Sequence, residues 1–335
     1  MLVTNSLTGG GAERTMNLVA NELTARGWTI SLIPINSSSS DQVLPTCEVF
    51  PLERQWRGTL FDSFSAVSNF TRIVNAWNPD VIVLNCDLPE LFGAILFGKH
   101  KLVVVEHTSN PWARRVRFGK IVRRILEFRN TTWVAVSSHL TIWPMRLKPS
   151  KVLQNPVSTQ RQLEILSPAN VIKRLVFIGR LSQEKRPDLA MEISRLTSID
   201  IVIIGAGLMQ EELQRKAFDE AINANFLGQL ANPWLEIDSG DLLIVPSAFE
   251  GDGLVVLEGL QRKVPMLLAD IPDFRRFGFP EKNYCSDEIA FVSRILSNLQ
   301  RLPELIISSE IANSILQDRT LESIGDNWEQ FLNEI

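Results

Sequence analysis

Nine short aliphatic runs are spaced along this chain with helical stretches between them, and that alternation narrows the possible folds more than any single motif. In the first half the runs are Leu2–Thr4, Ile30–Ile33, Val81–Leu84, Leu102–Val105 and Trp133–Val136. In the second half they are Leu175–Ile178, Ile201–Ile204, Leu242–Val245 and Val264–Leu268. Strands that are apolar along their whole length, rather than at alternate residues, suit a parallel sheet covered on both faces. Parallel strands need crossovers, and the first reads clearly as a helix. Met16, Val19, Ala20 and Leu23 fall on one face, and Gly27 closes it. The expected class is α/β, with doubly wound parallel sheets.

The 335 residues suffice for about two domains. The break is placed at Lys148–Pro156, where Pro149 and Pro156 disfavour helix in the residues before them, so this stretch reads as a linker. Ser37–Ser40 reads as a short polar loop. Lys and Arg total 34 against 38 Asp and Glu, a net of −4, which is too balanced for a general polyanion binder, and nucleic acid is not an expected partner. No apolar run approaches the roughly 18 residues that span a bilayer. Met1 leads straight into an apolar run without the basic segment of a secretory signal, so a cytoplasmic protein is expected. Cys47, Cys86 and Cys285 are too widely spaced for a disulfide framework or a zinc pattern.

Charge is unevenly shared. Residues 1–155 carry 17 basic and 11 acidic side chains, and the remainder carry 17 and 27. Much of the positive excess lies in Trp112–Asn130, which holds Arg114, Arg115, Arg117, Lys120, Arg123, Arg124 and Arg129 against Glu127. Val116, Ile121, Val122, Ile125, Leu126 and Phe128 lie between them at close to helical spacing. Such a basic amphipathic helix either packs on an ordinary core with a solvated outer face or lies on anionic lipid headgroups.

Several strand ends carry chemistry. Gly9-Gly10-Gly11 follows the first strand and opens the first helix, where glycines permit close approach to an anion and the helix start offers free N–H groups. A tight strand-to-helix turn explains the same glycines. In the second half Gly179-Arg180, with Lys185 five residues beyond Arg180, follows one strand; Gly205-Ala206-Gly207 follows the next. Pro246 to Glu258, including Glu250-Gly251-Asp252-Gly253-Leu254, follows a third. Ligands of open α/β sheets bind outside the carboxyl ends of the strands, so these loops are expected to converge. Two cations and a helix start near Gly253 suit a diphosphate, and two carboxylates suit hydroxyl groups. The combination describes a nucleotide-sugar pocket.

In that order the motifs resemble the retaining glycosyltransferases of family 4, which have the GT-B fold. The resemblance runs from Gly9-Gly10-Gly11-Ala12-Glu13-Arg14 through Glu106-His107-Thr108, Ala135-Val136-Ser137, Asn155-Pro156-Val157, Gly179-Arg180 with Lys185, and Asn232-Pro233. It ends on Glu250 and Glu258, which match the family's E-x7-E signature. It implies two Rossmann-like domains facing a central cleft: an acceptor-binding domain over 1–155 and a donor domain over 156–312. Residues 313–335, with an amphipathic helix around Asp326–Leu332, would cross back onto the first domain.

The resemblance also implies roles. Arg180 and Lys185 would hold the donor diphosphate and stabilise the leaving group, Glu250 would contact the transferred sugar, and Glu258 would accept from the ribose hydroxyls. His107 would face the sugar or the acceptor. Gly10, Gly11, Gly179, Gly205, Gly251, Asp252, Gly253 and Leu254 would line the donor site. The implied reaction is retaining transfer of a hexose from a nucleoside diphosphate to a lipid-linked glycan in surface polysaccharide assembly. No Asp-x-Asp motif is present, so no metal or other cofactor is expected. Family members with a helix at this place dock on the cytoplasmic membrane face, which favours membrane contact through Arg114, Arg115, Arg117, Lys120, Arg123 and Arg124.

Three departures from the family pattern stand out: Asp252-Gly253 where an apolar residue usually follows Glu-Gly, Lys263 at a usual glycine, and Asp270–Gly278 without the usual glycine-and-glutamate loop. Asp252 either touches the donor sugar or caps the next helix. The competing functions are a sugar-nucleotide epimerase on the same architecture and a catalytically silent membrane-surface binding protein.

Overall fold

The computed structural model describes residues 1–7, 10–36, 46–54, 60–113, 115–157 and 169–335, with the backbone alone at 60–63. Gly9, Ser37–Ser40 and Arg114, named above, lie outside the described residues. The chain divides into two units, Met1–Pro156 with Arg319–Ile335, and Val157–Asp318.

The first unit contains β1 (Leu2–Thr4), α1 (Gly11–Ala25), β2 (Ser31–Pro34), β3 (Glu48–Val49), α2 (Leu60–Trp77), β4 (Val81–Asn85), α3 (Asp87–Ile95), β5 (Lys101–Glu106), α4 (Val116–Phe128), β6 (Thr132–Ala135) and β7 (Lys151–Val152). Its sheet is parallel, in the order β3-β2-β1-β4-β5-β6-β7. The direction of winding reverses between β1 and β4. The stretch expected to be a linker contributes a strand: Lys151 and Val152 pair with Val134 and Ala135 at the sheet edge. The prolines bracket that strand without preventing it, because X-Pro disfavours helix and leaves extended backbone open.

The second unit contains β8 (Arg174–Ile178), α5 (Pro187–Thr197), β9 (Ile201–Ile204), α6 (Gln210–Asp219), β10 (Ala224–Gly228), β11 (Asp241–Val245), α7 (Leu254–Gln261), β12 (Met266–Ala269), α8 (Pro272–Arg275), β13 (Tyr284–Cys285), α9 (Glu288–Ser297) and α10 (Ser309–Leu316). Its parallel sheet runs β10-β9-β8-β11-β12-β13, with the reversal between β8 and β11. Alternate residues of each central strand feed two cores. Val176, Val202, Leu243 and Met266 join Trp234 and Leu257 on one face. Leu175, Ile201, Leu242 and Leu267 join Leu189, Ile193 and Phe291 on the other. Both faces are therefore buried, which is why these strands are apolar at every position.

The last helix, α11 (Leu321–Glu334), belongs to the first unit. Ile324, Trp328 and Phe331 share a core with Met16, Val19, Ala20 and Leu23 of α1. Arg26 at the end of α1 ties the pair together, donating to Asp326 at 2.6 Å and to the Glu322 carbonyl at 2.8 Å. The return begins at Arg319, whose guanidinium donates to the Asn155 carbonyl at 3.2 Å. Residues 313–316 finish α10 in the second unit, so the crossing segment is shorter than 313–335.

Candidate functional site

At the reversal point of the second unit the strand-end loops are bonded to one another. Gly179 N–H donates to the Ile204 carbonyl at 2.9 Å, and Leu181 N–H to the Ala206 carbonyl at 3.0 Å, zipping the β8 and β9 loops. Gly205 has φ +142°, and a Cβ there would sit 1.9 Å from the Gly179 carbonyl oxygen. That glycine is required by backbone approach whatever else it does. Ala248 N–H donates to the Glu184 carbonyl at 2.8 Å, linking the β11 loop to the β8 loop.

Across that link Lys185 Nζ lies 2.6 Å from Glu250 Oε1. Glu250 Oε1 also accepts from Ser247 Oγ at 2.9 Å. Glu250 is 7% exposed, while the Lys185 side chain keeps 27% of its surface open. Arg180 is more open, with 54% of its side chain exposed and Glu184 at 3.8 Å. Two of the predicted charged residues therefore meet directly, and Arg180 stands on the same loop as Lys185.

Two residues overlooked in the sequence hold the glutamate loop. Asp273, on α8, accepts the Glu250 N–H at 2.8 Å. Arg276 donates to the Asp252 carbonyl at 2.7 Å and to its carboxylate at 3.1 Å. Asp252 does not cap α7: the cap position is Gly253, at φ +64°, with no side-chain hydrogen bond. Its carboxylate, short and buried, is instead neutralised by an arginine 24 residues away, a pairing no local pattern reveals. Gly253 occupies the left-handed region and turns the chain into Leu254, the first residue of α7. Glu258, in the second turn of α7, accepts the Trp234 indole N–H at 2.8 Å. Lys263, at φ +57°, occupies left-handed backbone, which explains why a glycine suits that position.

In the first unit Gly10 precedes α1 as its cap and Gly11 begins it. The groups nearest its reversal point include hydrogen-bond acceptors, of which only Glu13 falls in a motif quoted above. Asn5 donates to Glu13 Oε1 at 3.1 Å, and Asn85 donates to Thr4 and to the Ala12 carbonyl at 3.3 Å each. Their amide nitrogens are thus committed, while Asn5 Oδ1, Glu13 Oε2 and Asn85 Oδ1 are buried without a partner among the described residues. Cys86, next in the chain, is held at φ +81°.

His107 follows β5 and is half-buried. Glu106 before it belongs to a buried ion cluster with Arg123 of α4 and Glu90 of α3. The expectation that Arg123 contacts a membrane is therefore corrected: it is 1% exposed and faces inward. Helical spacing alone could not separate it from its neighbours, because an arginine at a core position is unusual unless acids from other elements meet it. Burial pushes Glu106 up to about 7 against the pull of Arg123. Burial, aided by Glu90, pushes Asp87 up to about 6. Burial would weaken the Arg123 proton, but Glu90 and Glu106 more than offset it and hold the guanidinium charged.

The outer face of α4 is both basic and apolar. Arg115, Arg117, Lys120 and Arg124 are exposed. So are Val116, Phe118, Ile121 at 60% and Phe128 at 91%, whereas Gly119, Val122, Arg123 and Leu126 face the core. Among the described residues no helix is long and apolar enough to cross a membrane, and no group of three or more His, Cys, Asp or Glu side chains could hold a metal ion.

Two doubly wound parallel sheets with polar loops at the strand-end reversal define a two-domain α/β protein of the Rossmann-like kind. Residues 9–161 match the family described as Glycosyltransferase Family 4, and residues 164–281 match Glycosyl transferases group 1. The chain belongs to the GT-B glycosyltransferases of family 4. It is 23% identical, over 98% of its own length and 97% of the relative's, to the GalNAc-alpha-(1->4)-GalNAc-alpha-(1->3)-diNAcBac-PP-undecaprenol alpha-1,4-N-acetyl-D-galactosaminyltransferase of Campylobacter jejuni. Its fold is that of sucrose-phosphate synthase from Thermosynechococcus elongatus, with a TM-score of 0.77, 15% identity and 99% and 98% of the two chains covered. It is also that of Anabaena Alr3699/HepE, solved with UDP and glucose, with a TM-score of 0.74, 17% identity and 100% and 99% covered.

Proposed function

We propose that this glycosyltransferase moves a sugar, with retention, from a nucleoside diphosphate to a lipid-linked glycan during surface polysaccharide assembly. The observation that carries the donor half is the Lys185–Glu250 ion pair at the β8/β11 reversal. A cation and a carboxylate held together on rigid strand ends suit a ligand whose diphosphate and sugar hydroxyls adjoin. Lys185 and the more exposed Arg180 bind the diphosphate and stabilise the charge that grows on it. Gly179, Gly205, Gly251 and Gly253 let the backbone approach, and the start of α7 at Leu254 adds N–H donors. Glu250 accepts from hydroxyls of the transferred sugar and Glu258 from the ribose.

In the step itself the bond from the anomeric carbon to the diphosphate oxygen breaks as the bond to the acceptor oxygen forms. The acceptor's proton passes to the leaving phosphate on the same face of the sugar. His107 contacts the sugar or acceptor. The cations take the electrostatic role a metal could play, so turnover is expected to persist in EDTA.

The acceptor half draws on two supports. The Campylobacter relative is named for an undecaprenol-linked substrate. The outer face of α4, with exposed cations interleaved with Ile121, Ile125 and Phe128, suits peripheral contact with an anionic lipid surface at the inner face of the cell membrane. Screening nucleoside-diphosphate sugars for thermal stabilisation tests the donor assignment, since a ligand that binds only the folded state raises its stability by mass action. Stabilisation that survives Lys185→Ala unchanged overturns it.

A further inference from the structure

Helix α4 is fastened to the rest of its unit at three points. Near its start, Trp112 donates its backbone N–H to Asp87 at 3.0 Å and its indole N–H to Glu90 at 2.8 Å. The Trp112 ring fills the space beside Gly119, where a Cβ would lie 2.3 Å from it. Near its end, Arg129 donates to the carbonyls of Gly93 at 2.8 Å and Gly98 at 3.0 Å, around the end of α3. Midway, Arg123 reaches through to the sheet.

That middle contact differs in kind. Arg123 donates through Nε to Glu90 at 2.8 Å and through Nη1 to Glu106 at 2.5 Å and to the Trp143 carbonyl at 2.7 Å. The rings of Trp133 and Trp143 lie 5.4 and 5.9 Å from its Cζ. The guanidinium therefore has one orientation available. Buried ion clusters add little net stability compared with apolar residues of equal volume, but the planar fork constrains the groups it binds. Glu106 ends β5 and is directly followed by His107, and its carbonyl accepts from Val136 of the next strand connection at 3.1 Å. A displacement of α4 therefore reaches His107 through one side chain and one peptide bond.

Resting on the readings of α4 as a lipid-docking helix and of His107 as a site residue, we propose that Arg123 is a positioning residue that couples contact with an anionic lipid surface to the end of β5. The outer face of α4 meets the lipid; Arg123, on the opposite face of the same turns, transmits the constraint to Glu106. His107 is then held for the reaction only while the helix is docked.

The test is hydrogen–deuterium exchange of the full chain, with and without vesicles of phosphatidylglycerol and phosphatidylcholine, followed in peptides covering 103–109. The wild type is expected to show at least threefold slower exchange there when docked. Arg123→Lys retains the charge but loses the fork, so it should sediment with the vesicles like the wild type and show no slowing at 103–109. Glu106→Gln, which leaves Arg123 paired with Glu90, should do the same and serves if the lysine variant fails to fold. Docked variants with wild-type slowing overturn the coupling, as does a docked wild type with unchanged exchange. A wild type that does not sediment overturns the docking reading, and the coupling with it.

Discussion

The two reversal points of this protein have the same backbone plan and opposite chemistry. In the second unit, β8 and β11 end in loops that present a lysine and an arginine, with Glu250 clamped between Lys185 and Ser247. In the first unit, Asn5 follows β1 and Asn85 ends β4, and their amide nitrogens are already committed; with Glu13 of α1 they leave three buried oxygens without a partner among the described residues. One plan thus offers positive charge to an anion, and the other offers acceptors to hydroxyl or amide hydrogens. The lesson is that a doubly wound sheet dictates where a ligand binds, and the residues after its strands decide which ligand.

The difference can be broken most directly in the second unit. Lys185→Ala is expected to lower turnover by about two orders of magnitude, roughly 3 kcal/mol of transition-state stabilisation, in a steady-state assay with the donor found by screening. Near-wild-type turnover would remove the distinction between the units. Next in size is the proposed lipid contact, which is assigned to the first unit alone. Reversing Lys120 and Arg124 together should weaken sedimentation with anionic vesicles by about tenfold or more, at roughly 1 kcal/mol per basic side chain near the surface, and leave donor binding unchanged.

A smaller effect sharpens the contrast at the strand ends. Glu13→Gln should raise the acceptor KM about five- to tenfold with donor affinity unaltered, because it removes an acceptor oxygen and no cation. Loss of donor affinity in this variant would place the two strand-end sites in one role. Stability against pH separates the units again, because Asp87 and Glu106 both belong to the first. Their folded values of about 6 and about 7 lie above the ordinary carboxylate range, so the folded state retains protons that the unfolded chain releases. Their stabilising contribution is full below about pH 4 and is lost as pH rises through about 6 to 7. Asp87→Asn should remove its share of that slope in thermal melts between pH 5 and 8. The smallest effect is Lys263→Gly, which should stabilise the second unit by about 1 kcal/mol by relieving left-handed backbone at a non-glycine residue.

Much of the fold was legible because central strands of a doubly wound sheet must be apolar throughout. Each of the nine aliphatic runs overlaps a strand, from Leu2–Thr4 to Met266–Ala269. The four strands that were missed, β3, β7, β10 and β13, lie toward or at the sheet edges and have two to five residues each. Edge strands with fewer neighbours can be short and partly polar, as Glu48–Val49 and Lys151–Val152 are. The charged motif was legible for a similar reason: Lys185 and Glu250 each follow a recognisable strand, and strand ends converge.

What stayed hidden depended on contacts between residues distant in the chain. Asp252 reads equally well as a sugar contact or a helix cap; the structure puts Gly253 at the cap and pairs the Asp252 carboxylate with Arg276. Arg123 read as one more surface cation of a basic helix, yet it is the one of the helix's arginines and lysines, among the described residues, that is fully buried. A hydrophobic run or a glycine turn acts on its own backbone, so the sequence alone determines the nine interior strands and the order of the loops that follow them. The fate of a charge depends on whether an opposite charge from another element meets it out of water. Only the tertiary structure brings Glu90 and Glu106 to Arg123, or Asp273 to the Glu250 amide, and so only it decides which charged residues are paired out of water.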